Sequence, residues 1–201
     1  MVMMPVDRCV TGIPGFDKLC QGGFVRNSVN TVIGGPGTGK TTFLLQFLWE
    51  GIQKGEHGLY ISFEPDIADI FQDAYTYGWD FQKAEQQGKC KFIRFSPSSS
   101  EREIEKVLIE LVAKYEIKRI GLDPISVFAM AIEKENAVRE ALYTLCSLMK
   151  RFKVTVLLSD EVHGDALMDG AGLRMSRHGV IEFLTDCVVT LHAMGIGGES
   201  D

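Results

Sequence analysis

The sequence predicts an α/β fold with a central, mainly parallel sheet and helices on both faces. Three observations carry this reading. Short apolar, β-branched runs alternate with longer segments of helical periodicity, the pattern of repeated strand–helix–strand units. The run VTVLL, Val154–Leu158, is continuous rather than alternating, as expected of a strand covered on both faces. A glycine-rich segment joins the first such strand directly to the first helix.

In chain order the strands are predicted at Val29–Ile33, Gly58–Phe63, Lys91–Phe95, Arg119–Asp123 and Val154–Ser159, with a late one near Cys187–His192. Helices are predicted at about Lys40–Lys54, Asp66–Tyr77, Ser100–Tyr115 and Glu135–Phe152. In the first helix Phe43, Leu44, Leu45, Phe47, Leu48, Trp49 and Ile52 point in most directions, so it should be largely buried. The third opens with a capping box, either Ser98 with Glu101 or Ser100 with Glu103. In the fourth, Val138, Ala141, Leu142, Leu145, Cys146, Met149 and Phe152 form one apolar stripe. Its exit residues Lys150, Arg151 and Lys153 complement the negative end of the helix dipole. Without an internal repeat or an interdomain linker, residues 1–201 read as one domain. The longest irregular segment, His163–Ser176, follows a strand taken as parallel and so lies near the sheet's carboxyl edge, where α/β folds bind ligands. A segment of that length reads as either functional or merely mobile.

Composition narrows the function. With 21 basic and 27 acidic residues the formal net charge is −6, which disfavours passive wrapping of nucleic acid. No apolar run reaches the 18 or more residues of a membrane span. The N-terminus lacks the apolar region of a secretory signal, so a cytoplasmic protein without a membrane partner is expected. The five cysteines are odd in number and contain no CxxC pair, which reads as free thiols in a reducing compartment. The four histidines lack metal-ligand spacing.

The chemistry is carried by Gly34-Gly35-Pro36-Gly37-Thr38-Gly39-Lys40-Thr41, which satisfies GxxxxGK[ST] between a strand and a helix. Glycines let successive backbone N–H groups turn onto phosphate oxygens, and the helix N-terminus adds positive field. The nucleotide-contacting stretch is read as Gly35, Pro36, Gly37, Thr38, Gly39, Lys40, Thr41 and Thr42. Lys40 is assigned to the β/γ-phosphates and the Thr41 hydroxyl to Mg²⁺. Asp123 ends the strand Ile120-Gly121-Leu122-Asp123, where a carboxylate can hold magnesium-bound water. Glu64 closes the run Leu59–Glu64, placed to polarise the water that attacks the γ-phosphate. The absence of NKxD disfavours a guanine-specific switch, and no second substrate-phosphate loop is legible.

With these residues the chain resembles the KaiC-like branch of the RecA superfamily of ATPases. The resemblance runs from about Thr11 to His192. It takes in Thr11-Gly12-Ile13-Pro14-Gly15-Phe16-Asp17 with Leu19, Gly22 and Gly23, then GGPGTGKTTF, LYISFE, Gly78-Trp79-Asp80, the strand ending at Asp123 and Ser176–Asp186. It implies a P-loop sheet of order 3-2-4-5-1 with the late strands beyond. It also implies ATP and Mg²⁺ as cofactors and a homo-oligomeric ring, commonly a hexamer, with ATP between subunits. By position Lys40 and Thr41 carry over as phosphate and magnesium residues, Asp123 as the Walker B acid and Glu64 as the catalytic base. Ser159 and Asp160 fall where the family places a γ-phosphate-sensing polar residue. No adjacent Ser-Thr phosphoacceptors match, which implies hydrolysis without autophosphorylation. Two departures stand out. Pro65 follows Glu64 where relatives usually show a second acid, and Met194–Asp201 contains no basic KMRGT-like segment. Both imply slow turnover, unless Arg174 or Arg177 supplies charge from the long loop. A non-hydrolysing ATP-dependent switch or adaptor, acting on an unknown protein partner, and a DNA-recombination accessory protein are the alternative readings.

Overall fold

A computed structural model describes residues 6–64, 66–96, 99–130, 132, 135–162 and 180–193. Near the start, β1 (Arg8–Cys9) pairs antiparallel with β2 (Phe24–Val25) around the short α1 (Phe16–Leu19). The main body then follows as β3 (Val29–Gly34), α2 (Lys40–Gln53), β4 (His57–Ser62), α3 (Ile67–Thr76), α4 (Phe81–Gln86) and β5 (Cys90–Arg94). It continues with α5 (Glu101–Tyr115), β6 (Ile117–Asp123), α6 (Ile125–Met130), α7 (Glu135–Arg151), β7 (Thr155–Glu161), α8 (Ile181–Leu184) and β8 (Cys187–Leu191). The six long strands form one sheet of order β5-β4-β6-β7-β3-β8, with every neighbouring pair parallel. That is the order implied by the family resemblance.

Register is what builds the functional edge. Ser62 of β4 lies opposite Asp123 of β6, and Gly34 of β3 lies opposite Glu161 of β7. Because Leu122 of β6 pairs with Leu158 of β7, Asp123 comes level with Ser159, and β7 and β3 run on past the ends of β6 and β4, so the carboxyl edge is stepped. β7 runs two residues past the expected end at Ser159, because its pairing with β3 continues to Gly34.

Each face of the sheet carries its own core. On one side α5, α6 and α7 bury Ile104, Leu108, Phe128, Leu142, Leu145 and Met149 against the strands. On the other, α2, α3 and α4 bury Leu44, Phe47, Leu48, Ile70 and Phe81. The stripe of α7 is buried from Val138 to Met149, with Phe152 half-buried at its end. Its exit cations find acids as well as the helix dipole: Lys150 pairs with Asp186 at 2.8 Å and Arg151 with Glu105 at 3.9 Å. The capping box of α5 is the Ser100–Glu103 pair. Ser98 lies outside the described residues.

The inward side of β6 is shaped to receive α2. Arg119, Gly121 and Asp123 alternate onto one face. Arg119 lies over Gly51, where an added Cβ would fall 2.5 Å from its Cδ, and its guanidinium sits 4.9 Å from the Phe47 ring. A Cβ on Gly121 would meet Leu48 at 3.3 Å and Leu44 at 3.6 Å. Asp123 meets Thr41. The helix thus lies along the strand from its own N-terminus at the carboxyl edge to its last turn at the amino edge.

Arg119 is only 1 % exposed. Its Nε donates to Glu56, and its Nη1 donates to the carbonyls of Val10 at 2.7 Å and Phe47 at 2.8 Å. Burial alone would raise the Glu56 carboxyl, but Arg119 and then Arg26 bring it below its ordinary value. At the same amino edge the turns into β3, β6 and β7 place Asn27 (φ 62°), Glu116 (φ 49°) and Lys153 (φ 53°) in the left-handed region. Replacing Arg119 with Met removes a charge whose acid partner stays half-buried. Urea denaturation should show a loss of roughly 2–4 kcal/mol.

Candidate functional site

The site begins where β3 ends. A Cβ on Gly34 would run into the Thr38 hydroxyl and lie 2.9 Å from the Leu191 carbonyl oxygen of β8, so the first glycine of the motif is required by close approach. Gly37 (φ 72°) and Gly39 (φ 90°) take left-handed conformations that other residues adopt at a cost. The Thr38 hydroxyl donates to the Gly35 carbonyl at 2.9 Å and pins the loop. Gly39 then caps α2 without a side-chain acceptor, and the first turn contains no acid. The helices α3, α4 and α5, by contrast, are capped by Asp66, Asp80 and Ser100. The α2 N-terminus therefore keeps free backbone donors and uncompensated positive field, the requirements of an anion site.

Lys40 Nζ donates to the carbonyls of Gly34 and Gly35, each at 2.9 Å. Asp123 is 4 % exposed and accepts from three hydroxyls. Thr41 and Tyr60 each donate to its Oδ2 at 2.7 Å, and Ser159 donates to its Oδ1. Burial, and then the Asp123 charge and hydrogen bond, hold the Tyr60 phenol well above its ordinary pKa, so it stays a donor. Around this centre lies a cleft of about 450 Å³. It is lined by Pro36, Gly37, Lys40 and Thr41 on one side, and by Glu64, Asp123, Pro124 and Glu161 on the other. Glu64 is exposed, two residues beyond the end of β4.

Among the described residues no group of three or more His, Cys, Asp or Glu is placed to hold a metal ion. The adjacent Thr41 hydroxyl and Asp123 carboxylate are hard oxygen donors. They fit a cation such as Mg²⁺, which takes one or two protein ligands beside phosphate and water.

The structure therefore brings Lys40, Thr41, Asp123 and Glu64 to one cleft together with Pro36 and Gly37. Gly35, Thr38 and Gly39 complete the loop, and Thr42 is half-buried in the first turn of α2. Ser159 and Asp160 are buried rather than cleft-lining, and it is Glu161, one residue on, that reaches the cleft. Sequence reading missed Glu161 because β7 was expected to stop at Ser159. It missed Tyr60 because an aromatic inside an apolar strand reads as core. Pro65, Arg174, Arg177, the His163–Ser176 segment and residues 194–201 lie outside the described residues. Hollows of about 490 and 560 Å³ lie elsewhere, at the amino edge beside Arg26 and Lys153 and between α3 and α4. Neither contains the loop or the Asp123 centre.

Asp160 has a distinct electrostatic position. Burial, reinforced by Glu182 and Glu161, pushes its carboxyl up to about 7, against the opposing pull of the Glu161 N–H and of Lys40. The unfolded chain releases this proton near its ordinary value of 3.8, whereas the native protein keeps it to about 7. Native stability should therefore fall as pH rises between about 4 and 7, by at most about 4 kcal/mol from this group. Thermal denaturation at pH 5 and pH 8 checks it: Asp160→Asn, which keeps the acceptor for Glu161, should show a smaller drop than the wild-type protein.

Comparison with known proteins identifies the family. A family model described as "ATPase: KaiC" matches residues 9–200. The circadian clock protein KaiC3 of Synechocystis sp. is 34 % identical over 194 residues, 92 % of this chain and 37 % of that protein. The circadian clock oscillator protein KaiC of Prochlorococcus marinus subsp. pastoris is 34 % identical over 200 residues, 94 % of this chain and 38 % of that protein. The chain thus spans less than two-fifths of these curated relatives. The crystal structure of a KaiC-like protein from the archaeon Pyrococcus horikoshii OT3 superposes with a TM-score of 0.82 at 33 % identity, covering 96 % of this chain and 84 % of that one. The loop, the strand order and these matches agree: the chain belongs to the KaiC family of RecA-like ATPases.

Proposed function

We propose that residues 1–201 act as one ATPase domain that binds ATP with Mg²⁺, hydrolyses it to ADP and phosphate, and assembles with copies of itself into a ring, a hexamer by resemblance. Membership of the KaiC family supports ATP binding. The observation that carries the hydrolytic reading is the convergence of Lys40, Thr41, Asp123 and Glu64 on one cleft at the carboxyl edge of the sheet.

In this reading the loop amides and the α2 N-terminus hold the phosphate oxygens. Lys40 gives up two carbonyl acceptors for phosphate oxygens, an exchange favoured because the anion adds Coulombic attraction to the ammonium's hydrogen bonds. Thr41 and Asp123 would hold Mg²⁺, whose charge would offset that developing on the phosphates. Tyr60 and Ser159 fix the orientation of the Asp123 carboxylate. Glu64, exposed at the rim, accepts a proton from the attacking water or orients it. A general base of this kind contributes about 10²–10⁴-fold. The net charge of −6 does not favour nucleic acid as a partner. Among the described residues no helix is long and apolar enough to cross a membrane.

Steady-state ATP turnover with Mg²⁺ tests the proposal beside direct nucleotide binding. Lys40→Ala should abolish binding. Glu64→Gln should bind ATP while turnover falls by about 10²–10⁴-fold. Wild-type binding with turnover no faster than that of Lys40→Ala would favour the non-hydrolysing switch, and unchanged turnover in Glu64→Gln would remove the assigned base. Light scattering with and without ATP measures the ring.

A further inference from the structure

From Gly55 to Gln82 the chain contains no lysine or arginine, yet Glu56, Glu64, Asp66, Asp69, Asp73 and Asp80 all fall there. β4, α3 and the start of α4 lie within this stretch. Between the two helices lies a groove of about 560 Å³, larger than the cleft at the phosphate loop. Its walls include Phe71 and Tyr75 from α3 and Phe81 from α4, with Gln72, Asp80 and Gln82 supplying polar groups. The floor is fixed: Phe71 and Phe81 each pack edge-on against Phe92, at 4.7 and 5.3 Å between ring centroids. The rim is not covered. Tyr75 is 68 % exposed, and nearby Tyr77, 58 % exposed, stacks on Trp79 at 4.9 Å. Asp69 and Asp73 are exposed on α3, and neither forms an ion pair among the described residues.

Aromatic faces and carboxylates share one preferred partner, a guanidinium or ammonium group. A cation entering this groove meets ring faces, amide oxygens and the Asp80 carboxylate, with Asp69 and Asp73 exposed on the flank of α3 and Lys83 next along α4. Anionic ligands, including nucleic acid and acidic lipid surfaces, meet the opposite field. We propose that the α3–α4 groove docks an arginine-bearing amphipathic segment of a partner protein, with an apolar residue seated on Phe71 and Phe81 and the cations on Tyr75 and Asp80, in the added field of Asp69 and Asp73 on the flank of α3. The surface is independent of nucleotide chemistry. It is nonetheless physically continuous with that site, since α3 begins at its cap Asp66, two residues beyond Glu64.

The test is fluorescence anisotropy at about 0.15 M salt, without nucleotide, so that it succeeds or fails apart from any ATPase measurement. The probe is a labelled peptide of about four helical turns with Arg and Leu at i, i+4 spacing. Saturable binding is expected, with none for the same peptide carrying Glu in place of Arg. Tyr75→Ser should weaken it about fivefold and Asp69→Lys/Asp73→Lys about tenfold. The control Glu110→Lys/Glu140→Lys changes net charge equally on α5 and α7 and should leave affinity within about twofold. Thermal midpoints check that each variant folds. Equal weakening in the control would reduce the effect to diffuse attraction to an acidic protein. Unchanged binding in Tyr75→Ser would remove the groove. Self-association of the wild-type chain that Tyr75→Ser dissolves would give the groove to a second copy. Each of these three results overturns the proposal.

Discussion

The hydrogen bond from Thr41 to Asp123 fixes where the phosphate loop stands relative to the sheet. It is the last of a series of contacts along which α2 lies on β6: Gly51 under Arg119, Leu44 and Leu48 against Gly121, and Thr41 on Asp123. Because the helix begins immediately after the loop, any shift of α2 along the strand would carry Lys40 and the free amides with it. The two missing side chains, at Gly51 and Gly121, let the helix approach closely enough for the terminal hydrogen bond to form. Packing at the amino edge and geometry at the carboxyl edge are therefore one constraint.

Asp123 extends that constraint sideways. Its hydroxyl donors come from α2, β4 and β7, so a single buried carboxylate ties the loop helix to the strands on both sides of β6. A carboxylate with three donors is satisfied in the low-dielectric interior, where an unpaired one would be costly. The parallel register supplies the stepped edge on which these groups meet, with Ser62 opposite Asp123 and, further along, Gly34 opposite Glu161. Glu64 stands outside this network and is exposed. It is the one proposed reacting group not already held by neighbours within the cleft's floor.

The long elements and the phosphate loop were legible because their signals are local. The apolar period of α7, the continuous run of β7 and the glycines of residues 34–39 each declare themselves within a few residues. The four-to-six-residue helices α1, α4, α6 and α8 are too short for a period to register. α6 (ISVFAM) has almost no polar face to reveal one. Individual side chains were hidden for another reason. Arg119 in sequence is simply a charge inside a strand, and only the packing of α2 shows it to be a buried ion. Tyr60 and Glu161 acquire their roles from strand neighbours far away in the chain, which no local pattern encodes. The raised carboxyl of Asp160 likewise depends on burial, reinforced by Glu182 and Glu161.

The two edges of the sheet treat left-handed backbone differently. At the phosphate edge those conformations fall on Gly37 and Gly39, whereas at the amino edge Asn27, Glu116 and Lys153 bear them as well as Gly55 and Gly88. A non-glycine residue held there carries about 1 kcal/mol or more of local strain. The molecule thus keeps a reserve of recoverable stability on the side away from its chemistry. Relaxing the amino-edge turns would make the scaffold more robust without altering the loop that grips phosphate. The seating of α2 on β6 ties the two edges together, but the strain in these turns lies outside that seating and can be relaxed on its own.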